Sequence, residues 1–183
     1  IDFDHGTVTG NILGVALPML VAQILSLLYN IVDRIYIARI PSVGTTALGA
    51  VGLCFPIIVI ITAFSNLFGS GGAPLFSINR GKGNIKKAEA IMNTSFSMLC
   101  ICGVALMVIG MLFASPILVL FGASEEGLSY AYPYMMIYLI GTVPSMIATG
   151  MNPFINAQGY ATSGMLSVTI GAVANLILDP LFI

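Results

Sequence analysis

Charged residues are scarce in this sequence. The 183 residues include six Lys or Arg and seven Asp or Glu, 7% in all, whereas hydrophobic residues make up 58%. The mean hydropathy is +1.03, and soluble globular domains carry about 25% charged residues. The composition therefore excludes a soluble globular domain and predicts a membrane protein. We expect the lipid bilayer as its surroundings and no nucleic acid as a partner.

Metal ligands and disulfide partners are also few. The one histidine, His5, has no second ligand type near it, and the three cysteines, Cys54, Cys100 and Cys102, fall inside apolar stretches. Cys100 and Cys102 are two residues apart, so they point to different faces of a helix. This pattern argues against a metal cluster or a disulfide framework and predicts buried, inert thiols.

The apolar residues form long runs instead. A bilayer-spanning helix needs roughly 20 consecutive apolar residues, and the sequence contains five such runs, at about 10–39, 48–77, 88–114, 129–150 and 162–183. We predict an all-α membrane protein with five transmembrane helices. The odd number of helices, the start on Ile1 and the end within "NLILDPLFI" suggest part of a longer protein.

The loops between the predicted helices differ in charge. The loop "NRGKGNIKK" contains Arg80, Lys82, Lys86 and Lys87, four of the six basic residues, whereas "FGASEEGLS" contains two glutamates and no basic residue. Cytoplasmic loops are enriched in Lys and Arg. We therefore expect a multi-pass protein of the cell inner (plasma) membrane with a cytoplasmic N-terminus.

One carboxylate lies inside the first apolar run, in "LLYNIVDRIYIARIP". Asp33 at mid-membrane costs roughly 2.5–3.5 kcal/mol, so an acid at such a position suggests function. Asn30 lies three residues earlier, and the fifth run contains Asn175 and Asp179 at an i, i+4 spacing, which places them on one helix face. Both acids come late in helices that run outward, so we expect them at similar depth.

Two carboxylates and two amides at similar depth can form one polar site. Their oxygens are the ligands that a small cation prefers, and paired acids can exchange a proton. Arg34 follows Asp33 about 100° around the helix, which is poor geometry for an ion pair. Pro180 has no N–H for the carbonyl of Leu176, so it can bend the fifth helix beside Asp179. An interfacial ion pair of Asp33 and a bend that serves packing alone remain the structural alternatives.

The sequence resembles the N-terminal half of MATE (multidrug and toxic compound extrusion) transporters, particularly the bacterial MepA-like group. The resemblance covers essentially all 183 residues. It rests on an ordered set of segments, namely "YNIVDRIYI" (29–37), "GAVGLCFPI" (49–57), "GKGNIKKAE" (81–89), "GMNPFINAQG" (150–159) and "NLILDPLFI" (175–183).

The resemblance implies five helices of a six-helix lobe in a twelve-helix fold, with the C-terminal lobe outside this sequence. It also implies a cation-coupled antiporter that exports cationic or amphipathic organic compounds. Such a protein is not an enzyme and has no cofactor beyond its coupling ion, H⁺ or Na⁺. The family's cation site maps onto Asp33, Asn175 and Asp179, where sodium could bind, with support from Asn30, Tyr29 and Pro180. One departure is Ala38, where a glycine commonly follows the first motif.

Two other functions fit parts of the pattern. A lipid or polysaccharide flippase of the same superfamily would favour basic residues around an anionic cargo, and the predicted helices contain almost none. An intramembrane aspartyl protease also uses two embedded aspartates, but it resembles Tyr-Asp and Gly-x-Gly-Asp motifs. This sequence has Val32 before Asp33 and Leu178 before Asp179.

Overall fold

The protein is all α-helical over residues 7–182, the part that the computed structural model describes. The helices are α1 (Val8–Ala38), α2 (Gly44–Gly81), α3 (Ile85–Leu120), α4 (Glu125–Ile140), α5 (Thr142–Ala157) and α6 (Ala161–Phe182). Within α6, the side chains of Asn175 and of residues 178–182 lie outside the description, as does His5. The predicted fold class, an all-α membrane protein, is confirmed.

The described helices number six, because the predicted helix at 129–150 is interrupted. α4 and α5 meet at Gly141 with a bend of 56°. Gly141 has no side chain to hold the helix, and Pro144 has no N–H for the carbonyl of Ile140. The Thr142 hydroxyl lies 3.5 Å from the Tyr138 carbonyl across this break. The sequence prediction missed the interruption because single glycines and prolines also occur in uninterrupted membrane helices.

Several helices are longer than their apolar runs. α3 continues past Pro116 to Leu120, since Ala114 and Leu118 are buried on one face of the helix. α5 continues through Pro153 to Ala157, beyond the end of the apolar run predicted at 129–150. In both cases tertiary packing outweighs the cost of a proline inside a helix.

Three helices end in the same type of glycine turn. Gly83, Gly122 and Gly159 follow α2, α3 and α5 with φ angles of 74°, 92° and 90°. At Gly83, the Asn84 N–H donates to the Asn79 carbonyl at 2.9 Å and the Gly83 N–H donates to the Arg80 carbonyl at 2.9 Å. This is the Schellman motif, in which a left-handed glycine satisfies the last carbonyls of a helix.

The described chain divides into two compact units, one formed by residues 41–151 and the other by residues up to 40 together with those from 152 onward. In the 41–151 unit, α2, α3 and α4 pack against one another. Its core contains fully buried side chains, including Cys54, Leu99, Leu118, Met135 and Leu139. In the other unit, α1 packs against α6.

Three described helices, α1, α2 and α3, are long and apolar enough to cross a membrane, and the bent α4–α5 pair makes a fourth if it is one span. α3 has 36 residues, which corresponds to a length of about 54 Å. Arg80 and Lys82 lie just before its first residue, and Glu125 lies just beyond its last. The basic and acidic loops are therefore at opposite ends of one continuous helix.

Candidate functional site

Asp33 lies on the more buried side of α1. Tyr29 and Tyr36, one turn before and one turn after it, are also half-buried, whereas Arg34 and Arg39 are exposed. α1 as a whole has no fully buried residue. The helix therefore turns the carboxylate toward the protein and the two arginines away from it, which is the arrangement expected when long basic side chains extend to the interface.

Asn30 points differently from Asp33. Its side chain is exposed, and its Nδ2 donates to the Ser26 carbonyl at 2.7 Å. The amide donor is thus used within α1. The sequence placed Asn30 on the same face as Asp33, but the 60° between positions i and i+3 is enough to separate an exposed side chain from a half-buried one.

The second half of the predicted cation site lies on α6. Asn175, Asp179 and Pro180 fall within this helix, but their side chains lie outside the described residues. The packing of α1 against α6 brings together the two helices that contain Asp33 and Asp179. The shared cation site, including its use by sodium, stays a prediction.

A polar network that the sequence analysis did not predict links α5 to α6. Asn156 Nδ2 donates to Asn152 Oδ1 at 3.0 Å, and Asn152 Nδ2 donates to the Gly164 carbonyl at 3.2 Å. Asn156 Oδ1 is buried and has no hydrogen-bond partner among the described residues. The available signal was the i, i+4 spacing of two asparagines in an apolar helix, which places both amides on one face.

A second polar contact joins α2 to α5. The Ser65 hydroxyl donates to the Met146 carbonyl at 3.3 Å, and the hydroxyl oxygens of Ser65 and Thr149 are 3.0 Å apart. One turn along α2, Gly69 packs directly against the backbone of Gly150. The segment "FGSGGAP" (68–74) therefore serves close helix packing, and α2 continues through it without a break.

Asp33 is the acidic residue of the candidate cation site whose side chain the structure describes. Asp33 supplies a carboxylate on the half-buried side of an apolar helix, where an ionisable side chain is costly and marks a candidate functional site. Within the unit of residues 41–151, the hydroxyls of Ser65 and Thr149 form a separate, uncharged polar contact between α2 and α5.

Sequence comparison identifies the family to which this chain belongs. The profile of the MatE family matches residues 18–181. A FAD transporter of Shewanella oneidensis is 28% identical over 183 residues, covering 98% of this chain and 40% of the transporter. The multidrug export protein MepA of Staphylococcus haemolyticus is 26% identical over 181 residues, again 40% of that protein.

Solved structures agree in fold. A crystal structure of MATE in the bent conformation superposes with a TM-score of 0.87 at 25% identity, and the match covers 97% of this chain and 39% of that chain. The chain thus spans about 40% of the length of the relatives it matches. It belongs to the MatE family of multidrug and toxic compound extrusion transporters and corresponds to the N-terminal half of its members.

Proposed function

We propose that this chain forms the cation-coupling lobe of an antiporter that exports cationic or amphipathic organic compounds. The observation that carries the proposal is Asp33, a carboxylate on the half-buried side of the apolar helix α1. α1 packs against α6, and α6 contains Asn175 and Asp179. A cation that enters this site neutralises the carboxylates, and its release leaves them available to favour a cationic compound.

The export of an anionic flavin nucleotide is a second candidate, favoured by the 28% identity to a FAD transporter. A diphosphate cargo calls for Arg or Lys near its path, since these residues bind phosphate through charge-assisted hydrogen bonds. α1 contains Arg34, but α2 and α3 contain basic residues only near the turn that connects them. The charge distribution therefore supports a cationic cargo over FAD.

We further propose that the turn between α2 and α3 is cytoplasmic. The charge on this turn supports that orientation, because Arg80, Lys82, Lys86 and Lys87 surround it and all four are exposed. Glu125 and Glu126 lie in the first turn of α4, at the other end of α3. With this orientation α1 begins in the cytoplasm and runs outward.

Transport by the full-length protein in proteoliposomes tests the proposal. Ethidium serves as the cationic compound, and DNA trapped in the lumen reports its entry by fluorescence. An imposed gradient of H⁺ or Na⁺, with the cation concentrated inside, should accelerate ethidium entry, and an ionophore that collapses the gradient should remove the acceleration. Unchanged ethidium entry under both gradients, or gradient-driven uptake of FAD instead, would contradict the proposal.

A further inference from the structure

The exposed surface of α2 includes a polar stripe. Thr62, Asn66 and Ser70 are all exposed and follow one another at intervals of four residues, so they lie along one side of the helix. α2 extends from Gly44 to Gly81, which places Thr62 at its centre and Asn66 one turn further along. The stripe therefore lies inside the membrane-spanning helix and not at its ends.

A separate stripe of the same helix is apolar. Ile60, Phe64 and Leu67 are 48%, 36% and 61% exposed, and each is about 100° or more around the helix from Asn66. Large apolar side chains that are exposed at the centre of a membrane helix are suited to lipid. The surface of α2 thus has one side that matches the bilayer and one that does not.

The polar stripe continues onto α5. Ser65, the neighbour of Asn66, has its hydroxyl oxygen 3.0 Å from that of Thr149, so α5 passes beside this part of α2. Thr149 and Ser145, one turn apart on α5, are both exposed. We define the polar face as the set Thr62, Asn66, Ser70, Ser145 and Thr149. All five belong to the same compact unit.

The hydrogen bonding of Asn66 differs from that of Thr62, Asn30 and Asn79. The Thr62 hydroxyl donates to the Ile58 carbonyl at 2.9 Å, and the amides of Asn30 and Asn79 donate to carbonyls four residues earlier. Such local bonds make a polar side chain tolerable in lipid. The Asn66 amide, in contrast, bonds to no other residue in the part of the chain that the structure describes. An amide without a hydrogen-bond partner is costly to place in hydrocarbon.

We propose that the polar face lines the aqueous path of the transported compound and that Asn66 hydrogen-bonds to that compound. This inference rests on the proposed transport function and names a binding surface within it. Because the face contains hydroxyls and an amide but no charge, it suits the uncharged hydrogen-bonding groups of an organic cation, such as aromatic amines.

Cysteine modification in the full-length protein tests this proposal. In a background whose own cysteines are replaced by alanine, Asn66→Cys and Ser70→Cys are compared with the matched controls Leu67→Cys and Ile60→Cys. The probe is a membrane-impermeant methanethiosulfonate with a trimethylammonium group, which reacts with the thiolate in water. Modification at positions 66 and 70 should be at least about tenfold faster than at 67 and 60. Ethidium should slow modification at position 66 several-fold.

Two results would overturn the inference. Modification at position 66 no faster than at 67 would mean that lipid or another part of the protein covers the polar face. Fast modification that ethidium does not slow would mean that the compound does not contact Asn66. Neither result depends on coupling, because gradient-driven ethidium entry is measured separately on the unmodified protein. A failed proposed function would instead appear as unchanged ethidium entry under both gradients.

Discussion

At the scale of single residues, Asn152 of α5 forms side-chain hydrogen bonds with residues of both α5 and α6. Its Oδ1 accepts from Asn156 and its Nδ2 donates to the Gly164 carbonyl on α6. Gly164 leaves just enough room for this network, because a Cβ added there would lie 2.5 Å from Asn156 Oδ1. One asparagine therefore satisfies polar groups on two helices, and α6 is the helix that contains Asn175 and Asp179.

Replacement of Asn152 should destabilise the protein more than replacement of an asparagine whose side chain bonds only within its own helix. Asn152→Ala removes the acceptor of the Asn156 amide and the hydrogen bond to the Gly164 carbonyl, and a polar group left unsatisfied costs about 1–3 kcal/mol. Asn79→Ala is the matched control, since the Asn79 amide bonds only to its own helix at Leu75. The fraction of full-length protein that stays monodisperse in detergent after heating should fall at a lower temperature for Asn152→Ala. Equal losses in the two variants would argue against the network.

At the scale of the helices, the contacts of α5 with α2 and with α3 depend on two glycines. A Cβ on Gly69 would collide with the carbonyl oxygen and Cα of Gly150, and a Cβ on Gly150 would lie 2.7 Å from Leu99. Backbone cannot move aside as the end of a flexible side chain can. Close approach through small residues is how membrane helices gain packing energy, because lipid provides no hydrophobic drive for their association.

The glycine contact predicts a sharp difference between two neighbouring substitutions. Gly69→Ala should lower the stability of the full-length protein by about 1–3 kcal/mol through overpacking. Gly71→Ala is the control, because a Cβ there meets nothing within 4 Å. The concentration of sodium dodecyl sulfate at the unfolding midpoint should decrease for Gly69→Ala and stay the same or increase for Gly71→Ala. A midpoint for Gly69→Ala at or above that of the unmodified protein would refute the contact.

The helices were predictable to different degrees. The apolar runs located α1, α2, α3 and α6, because a membrane helix must be apolar along its length. The interruption at Gly141 was not predicted, since single glycines and prolines also occur in uninterrupted membrane helices. Asp33 stood out as a charge in an apolar run. Asn66 and Asn152 did not, because an uncharged amide in such a run has no meaning until its exposure and its partners are known.

At the scale of the whole molecule, the charges at the two ends of α3 predict an orientation in the membrane. Lys82 precedes this helix and Glu125 follows it. A helix of about 54 Å exceeds the roughly 40–45 Å thickness of a bilayer with its headgroups. Its two ends should therefore reach water on opposite sides.

Labelling from one side of the membrane tests this orientation in the full-length protein. Glu125→Cys should react with an impermeant maleimide added to intact cells, and Lys82→Cys should react only after the membrane is permeabilised. The basis is the enrichment of Lys and Arg in cytoplasmic loops. Reaction of both cysteines in intact cells would contradict the topology, and reaction of Lys82→Cys alone would reverse it.

The central claim is that Asp33 couples cation movement to export, and one measurement tests it most directly. Gradient-driven ethidium entry into proteoliposomes is compared for the unmodified full-length protein, Asp33→Asn and the control Glu126→Gln, which removes a carboxylate from the exposed first turn of α4. Asp33→Asn lowers the cost of inserting α1, so a loss of transport cannot come from failed integration, which the amount of reconstituted protein verifies. We predict that the gradient accelerates ethidium entry in the unmodified protein and in Glu126→Gln but not in Asp33→Asn. The same acceleration in Asp33→Asn would contradict the account.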